Sequence, residues 1–366
     1  MDATAHFSPT YAEARDRFLA AARACGARVY REVHPSERGA QGEELSMDCA
    51  RLGEEKAAGA LLLTSATHGV EGFCGSGCQV ALLHDNVFLA EAERAGIAVL
   101  MVHAVNPYGF SHLRRANEDN VDLNRNFQDF QAPLGENKAY AELHPYLLPP
   151  SWPPAADNEA HLDAWRTQHG AKAYQAAISG GQFQFADGLF YAGARASWSN
   201  AALRTLLRSE IAQRQRLGWI DFHTGLGPRG HGEKIYAGPD NAIGVARARA
   251  WWGREVTSFF DGSSASARVS GVICGAAYDE CPATEITAMA LEYGTYPLER
   301  TLQALRAEHW LHNHPDAPEA QRREIKEQMR DTFYIDSDDW KAQVYAEARA
   351  AILRAVTQLA AAPVRA

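Results

Sequence analysis

The chain has 366 residues, 46% of them hydrophobic, which is ample for a buried core and long for one compact unit. Its 36 basic and 45 acidic side chains give a formal net charge of −9, which argues against a nucleic-acid partner, because polyanion binding rests on a basic face. Met1 to Arg17 shows no basic segment leading into an apolar one, and the most apolar run, Ile97 to Val102, is too short to cross a bilayer. A cytoplasmic protein with no membrane partner is expected. Six cysteines lack the close-spaced repeat of a Cys-rich metal site, so reduced, mostly buried thiols are expected.

In chain order, helical periodicity marks Tyr11 to Ala24. Apolar runs predict strands at Ala27 to Glu32, Gly59 to Ser65 and Ile97 to Val105, with a helix from Gly77 to Asn86 between the last two. The segment from Gln128 to Trp198 is polar, aromatic and irregular, and the Pro- and Trp-bearing stretch from Leu147 to Ala156 lies inside it. Further strands are expected at Gly218 to Phe222 and Ala288 to Glu292. Further helices are expected at Asn158 to Ile178, Ala201 to Arg214, Leu298 to Trp310 and Asp338 to Leu359. Alternating strand and helix predicts an α/β fold with a mixed, mostly parallel central sheet flanked by helices. One domain over residues 1–366 with an insertion at about 128–198 is preferred to two.

The segment Ala60-Leu-Leu-Leu-Thr-Ser-Ala-Thr-His68-Gly-Val-Glu71-Gly reads as a buried strand running into a Gly-bounded loop. A His nitrogen and a carboxylate three residues apart, just past the strand's carboxyl end, can turn toward one cation, and open α/β sheets place ligands at that edge. Alone, such a pair is more often an exposed loop pair. Leu217-Gly-Trp-Ile-Asp-Phe-His223-Thr-Gly-Leu-Gly repeats the design, an apolar strand ending in His before a Gly-rich loop, and supplies a third ligand. Two nitrogens and one carboxylate suit zinc, which takes three protein ligands in a catalytic site and keeps a fourth position for water. Asp221, two residues before His223, either orients a ligand imidazole or caps a neighbouring loop.

Arg115-Ala-Asn-Glu-Asp-Asn-Val-Asp122-Leu-Asn124-Arg125-Asn126-Phe127 is rich in carboxylate-binding groups, although a solvated turn held by an internal Asp–Arg pair fits it as well. In order and spacing, His68-Gly-Val-Glu71, Asn106-Pro-Tyr-Gly109, Arg115 with Val121 to Phe127, and His223 resemble the zinc carboxypeptidase superfamily. That superfamily includes hydrolases related to aspartoacylase and succinylglutamate desuccinylase. The motifs extend from His68 to about Tyr293. The resemblance implies a zinc carboxypeptidase-like fold and one Zn2+ per chain held by His68, Glu71 and His223. It further implies that Asn124 and Arg125 bind a substrate carboxylate, Arg115 polarises the scissile carbonyl, and Glu292 is the general base. A substrate-capping tyrosine is assigned to Tyr278, with Tyr236 and Tyr293 as alternatives.

The expected activity is therefore metal-assisted hydrolysis of an amide next to a free carboxylate, in a small peptide or an N-acyl amino acid. Two alternatives are an N-acyl amino acid deacylase and a non-catalytic carboxylate-binding protein. Three other features carry less. Gly72 to Gly77 fails the dinucleotide-loop spacing at Val80 and reads as a tight turn beside the metal. His309, His312 and His314 read as a solvated helix end. His103 is the spare ligand if His223 fails.

Overall fold

The computed structural model describes residues 3–361. Seven strands build one sheet: β1 Arg28–Arg38, β2 Glu44–Leu52, β3 Gly59–Thr64, β4 Ala98–His103, β5 Arg216–Arg229, β6 Gly232–Tyr236 and β7 Glu285–Gly294. Their order is β1-β2-β4-β3-β5-β7-β6. The central four, β4, β3, β5 and β7, run parallel, while β1 and β2 on one side and β6 on the other add antiparallel. The expected mixed α/β sheet is therefore present, with its parallel strands at the centre.

Both faces of that centre are covered. Every residue of β3 and β4 is buried, as uninterrupted apolar runs in parallel strands require. Alternation divides them between two cores. Leu61, Leu63, Val99 and Met101 pack with helices Tyr11–Ala24, Gly72–Leu83 and Asp338–Ala360, whereas Leu62, Leu100 and Val102 pack with helix Trp198–Glu210. Helix Tyr11–Ala24 has the bounds its periodicity predicts, and Thr10 caps it by accepting the Glu13 N–H at 3.2 Å.

Other elements differ from expectation for identifiable reasons. Gly72 to Gly77 is not a turn but the first part of helix Gly72–Leu83. A Cβ at Gly75 would lie 2.7 Å from Ser65 Cβ and 3.0 Å from Phe222 Cβ, so this glycine lets the helix lie directly on the sheet, while one at Gly72 would lie 2.6 Å from Cδ1 of Phe110 in the short helix Pro107–Ser111. The expected helix Asn158 to Ile178 is two helices, Ala156–His169 and Ala171–Ser179, parted at Gly170, whose φ is +88°. With helix Lys138–Leu147 they form most of the regular structure in segment 128–198. His309 does not belong to a solvated helix end: it is 2% exposed, beside the buried Glu308.

β3 leads to β4 on one side of the sheet, and β5 then adds on the other side. The crevice at the carboxyl ends of β3 and β5 is thus a point where strand order reverses, the place where open α/β sheets bind ligands.

Candidate metal centre and its cavity

His68 and Glu71 follow β3, and His223 lies within β5 where it pairs with Glu292 of β7. All three candidate ligands are buried, and their donor atoms lie within 4.8 Å of one another. His68 Nδ1 is 2.9 Å from Glu71 Oε1, and His223 Nδ1 is 3.2 Å from both His68 Nδ1 and Glu71 Oε2. Zinc bonds of 2.0–2.1 Å at tetrahedral angles would set such atoms about 3.3 Å apart. His103, the spare ligand, is elsewhere: it is fully buried, 2.8 Å from Ser76 Oγ through Nε2 and stacked on Phe18.

The far side of each imidazole fixes which nitrogen faces the cluster. His223 Nε2 is 2.6 Å from Asp221 Oδ2, so its proton belongs there and Nδ1 presents a lone pair. Asp221 is itself fixed by the hydroxyls of Thr64 and Thr67, donating at 2.6 and 2.8 Å. His68 Nε2 has Asp122 Oδ1 at 3.3 Å and Arg115 Nη2 at 2.7 Å, partners that require opposite tautomers. A metal held by the Nδ1 side would favour the tautomer whose Nε2–H donates to Asp122.

The electrostatics also suit a cation. Burial opposes ionisation of Glu71, yet His68 and His223 hold its carboxyl well below the usual range, and the Thr224 N–H donates to Oε2 at 3.0 Å. Burial likewise works against a charged His223, but Asp221 and Glu71 raise its proton affinity well above normal. Glu71, Asp122 and Asp221 face the guanidinium groups of Arg115 and Arg125, and the balancing positive charge is a proton on His223, which a bound cation would displace. Donor type, spacing and supporting carboxylates all fit zinc.

A cavity of about 170 Å3 opens beside the cluster, lined by His68, His223, Arg115, Asn124, Arg125 and Glu292. Glu292 is held by the Leu226 N–H, which donates to Oε1 at 3.0 Å; burial and the charge of Glu71 push its pKa up to about 8. Arg115 packs against the ligand set, donating from Nη1 to Glu71 at 3.1 Å and from Nε to Asp122 at 3.0 Å. The internal Asp–Arg pair therefore exists, but it is buried beside the ligands rather than solvated. Asn124 Oδ1 accepts the Ile273 N–H at 2.9 Å, which leaves its NH2 as the donor for the cavity. Arg125 donates to Ser179 O at 2.6 and 3.1 Å and to Asn124 O at 2.8 Å; burial lowers its pKa to about 10, so it stays cationic at neutral pH.

Tyr278 does not line the cavity: its hydroxyl donates weakly to Ile286 O at 3.5 Å, whereas Tyr236, one of the alternatives, is on the cavity wall. Tyr293 is fully buried. Sequence reasoning assigned no role to Asp122, although its place in Val121-Asp122-Leu123-Asn124 was the available signal. It also missed the apolar wall supplied by Tyr174, Ile178 and Phe190, for which an irregular aromatic segment gives no pattern. All six cysteines are unpaired, and five are buried.

Residues 7–347 match the family described as "Protein of unknown function (DUF2817)". The chain belongs to that family. No curated protein matches this DUF2817 sequence. Among solved structures, thrombin activatable fibrinolysis inhibitor is similar at 12% identity and a TM-score of 0.52, over 96% of this chain and 74% of that one. Carboxypeptidase A from Helicoverpa armigera is similar at 13% identity and 0.45, over 88% and 73%. An aspartoacylase family protein from Mesorhizobium loti is similar at 14% identity and 0.37, over 78% and 66%. At 12% identity the likeness is one of fold: this DUF2817 member shares the overall architecture of thrombin activatable fibrinolysis inhibitor. Among the described residues no helix is long and apolar enough to cross a membrane.

Proposed function

We propose that the chain is a zinc-dependent hydrolase that cleaves an amide bond next to a free carboxylate. The observation that carries this reading is the convergence of His68, Glu71 and His223 in one buried cluster whose cavity also holds Glu292 and Arg125. One zinc bound there would supply a water of lowered pKa and a Lewis acid for the carbonyl. Glu292 then acts as general base, taking the proton of the attacking water at its carboxylate and passing it to the leaving nitrogen. A dication bound beside it would favour the carboxylate form of Glu292 that accepts this proton. Arg115, nearest the ligands, steadies the oxyanion, a contribution of about 3–4 kcal/mol for a well-placed donor. Arg125 and the Asn124 NH2 take the substrate carboxylate and set the amide over Glu292. Tyr236 is better placed than Tyr278 to cap the substrate.

The substrate is read as a small peptide or an N-acyl amino acid, and the whole chain as one catalytic unit with an insertion at 128–198. Six unpaired cysteines support a reducing, cytoplasmic setting. The deciding experiment is elemental analysis of protein purified without chelator, joined to a screen of dipeptides and N-acyl amino acids. About one zinc per chain and chelator-sensitive release of an amino acid are expected. Absence of both metal and turnover after zinc reconstitution would leave a carboxylate-binding protein instead.

A further inference from the structure

Segment 128–198 is fastened over the cavity rather than draped across it. Arg306, 1% exposed on helix Leu298–Asn313, reaches into the segment. It donates to Leu147 O and Tyr146 O at 2.9 Å each and to the Glu159 carboxylate at 2.9 and 2.7 Å. At the rim, Arg166 of the segment pairs with Glu299 at 3.1 Å, and on another side Gln175 Nε2 donates to Ala265 O at 3.0 Å. Ser179 O, at the carboxyl end of helix Ala171–Ser179, is the carbonyl that Arg125 grips. The roof and the carboxylate clamp are therefore one mechanical unit.

The space beneath the roof is small and largely apolar. Strand alternation puts Ala290, two residues before Glu292, on the same face of β7, and its β6 neighbour is Ile235. Ala290 and Ile235 thus form an apolar pair one step below the His223–Glu292 row, beside Asp221, the β5 partner of Ala290, whose carboxylate is taken up by His223, Thr64 and Thr67. Tyr174, Ile178 and Phe190 also line this cavity from the roof. About 170 Å3 falls below the roughly 300–1,000 Å3 of pockets that hold drug-sized ligands. A longer chain needs an open groove leading away from the ligands, and here two ties bridge the rim.

Resting on the hydrolase reading, we propose that the roof restricts this site to small amides, an N-acyl amino acid or a dipeptide, whose carboxylate-bearing residue has an apolar side chain, and that it excludes longer peptide C-termini. The probes are N-acetyl-leucine, N-acetyl-aspartate and a hexapeptide ending in leucine. Binding is measured by calorimetry on zinc-loaded Glu292→Gln protein, and kcat/KM on the wild type. N-acetyl-leucine is expected to bind at least about tenfold more tightly than either other probe. The double variant Arg166→Ala with Gln175→Ala, which removes the two ties made by cavity-lining residues of the roof and leaves those through Arg306, Asn313 and Gln321 in place, is expected to narrow the hexapeptide gap at least about threefold. Equal binding of the three probes, no binding of N-acetyl-leucine, or a gap unchanged in the double variant overturns the inference. The two readings fail separately. Length-selective binding without wild-type turnover removes the hydrolase and leaves the filter, whereas turnover without length selection does the reverse.

Discussion

Two neighbouring arginines lead into two buried polar clusters of different character. Arg114 turns to Glu308, donating from Nε at 2.8 Å, and the same carboxylate oxygen takes Lys326 Nζ at 2.7 Å. One anion is there shared between two cations, and their field holds the buried Glu308 carboxyl far below its usual range. Arg115 turns the other way, to Glu71 and Asp122, where two imidazole nitrogens and a carboxylate converge on the same point. Burial alone therefore does not mark a functional site. The Glu308 cluster brings its own counter-charges and ties helix Leu298–Asn313 to helix Glu319–Phe333 and to the loop bearing Arg114. The His68 cluster, by contrast, brings three candidate ligand atoms within 4.8 Å of one another.

Mutations should separate the two clusters. The largest effect is expected for His223→Ala, which removes a ligand: bound zinc falls to background by elemental analysis, and hydrolysis is lost with it. Retained stoichiometric zinc would break the proposed ligand set. Next, Glu292→Gln should keep the metal while lowering kcat by about 10²–10⁴-fold; near-normal turnover would remove Glu292 from the base role.

Glu308→Gln should do the opposite, costing about 3–5 kcal/mol of folding stability, because buried Arg114 and half-buried Lys326 lose their anionic partner, with zinc content unchanged. The acid limb tests the same point. Because the Glu308 pKa is depressed on folding, its stabilisation is present above the ordinary value of 4.5 and fades as pH falls below it. Wild type should thus lose more stability on acidification than Glu308→Gln, and parallel acid limbs in denaturant titrations would contradict the ion-pair account. The smallest effect is expected for Asp221→Asn, which leaves the ligands in place but weakens the hold on His223. Zinc affinity should fall about 10–100-fold in a chelator competition, and an unchanged affinity would return Asp221 to the role of a loop brace.

Why some features were legible follows from where their information resides. β3 and β4 are covered on both faces, so they write themselves as unbroken apolar runs. β2 is buried apart from its two end residues, yet it carries Ser46, Asp48 and Arg51, whose acceptability rests on remote partners: Arg15 Nε donates to Asp48 at 2.7 Å, and Arg51 Nη1 donates to Glu210 at 3.1 Å. Periodicity within one segment cannot register a partner thirty or more residues away. The same holds for His309, polar by type and buried by helix packing. Gly72 and Gly75 look like a turn locally but lie in a helix, where they are glycine because Phe110 and Ser65 leave no room for a Cβ.

The sequence by itself determined the central parallel strands, the bounds of helix Tyr11–Ala24 and the ordered motifs carrying His68, Glu71, Arg115, Arg125 and His223, because these depend on residue type and short spacing. Only the tertiary structure decided that His68, Glu71 and His223 bring their donor atoms within 4.8 Å, that Arg114 and Arg115 serve different clusters, and that segment 128–198 roofs the cavity. Those outcomes are set by contacts between residues as far apart as Tyr146 and Arg306. Such contacts form only when the sheet brings distant segments together, and no local pattern encodes them.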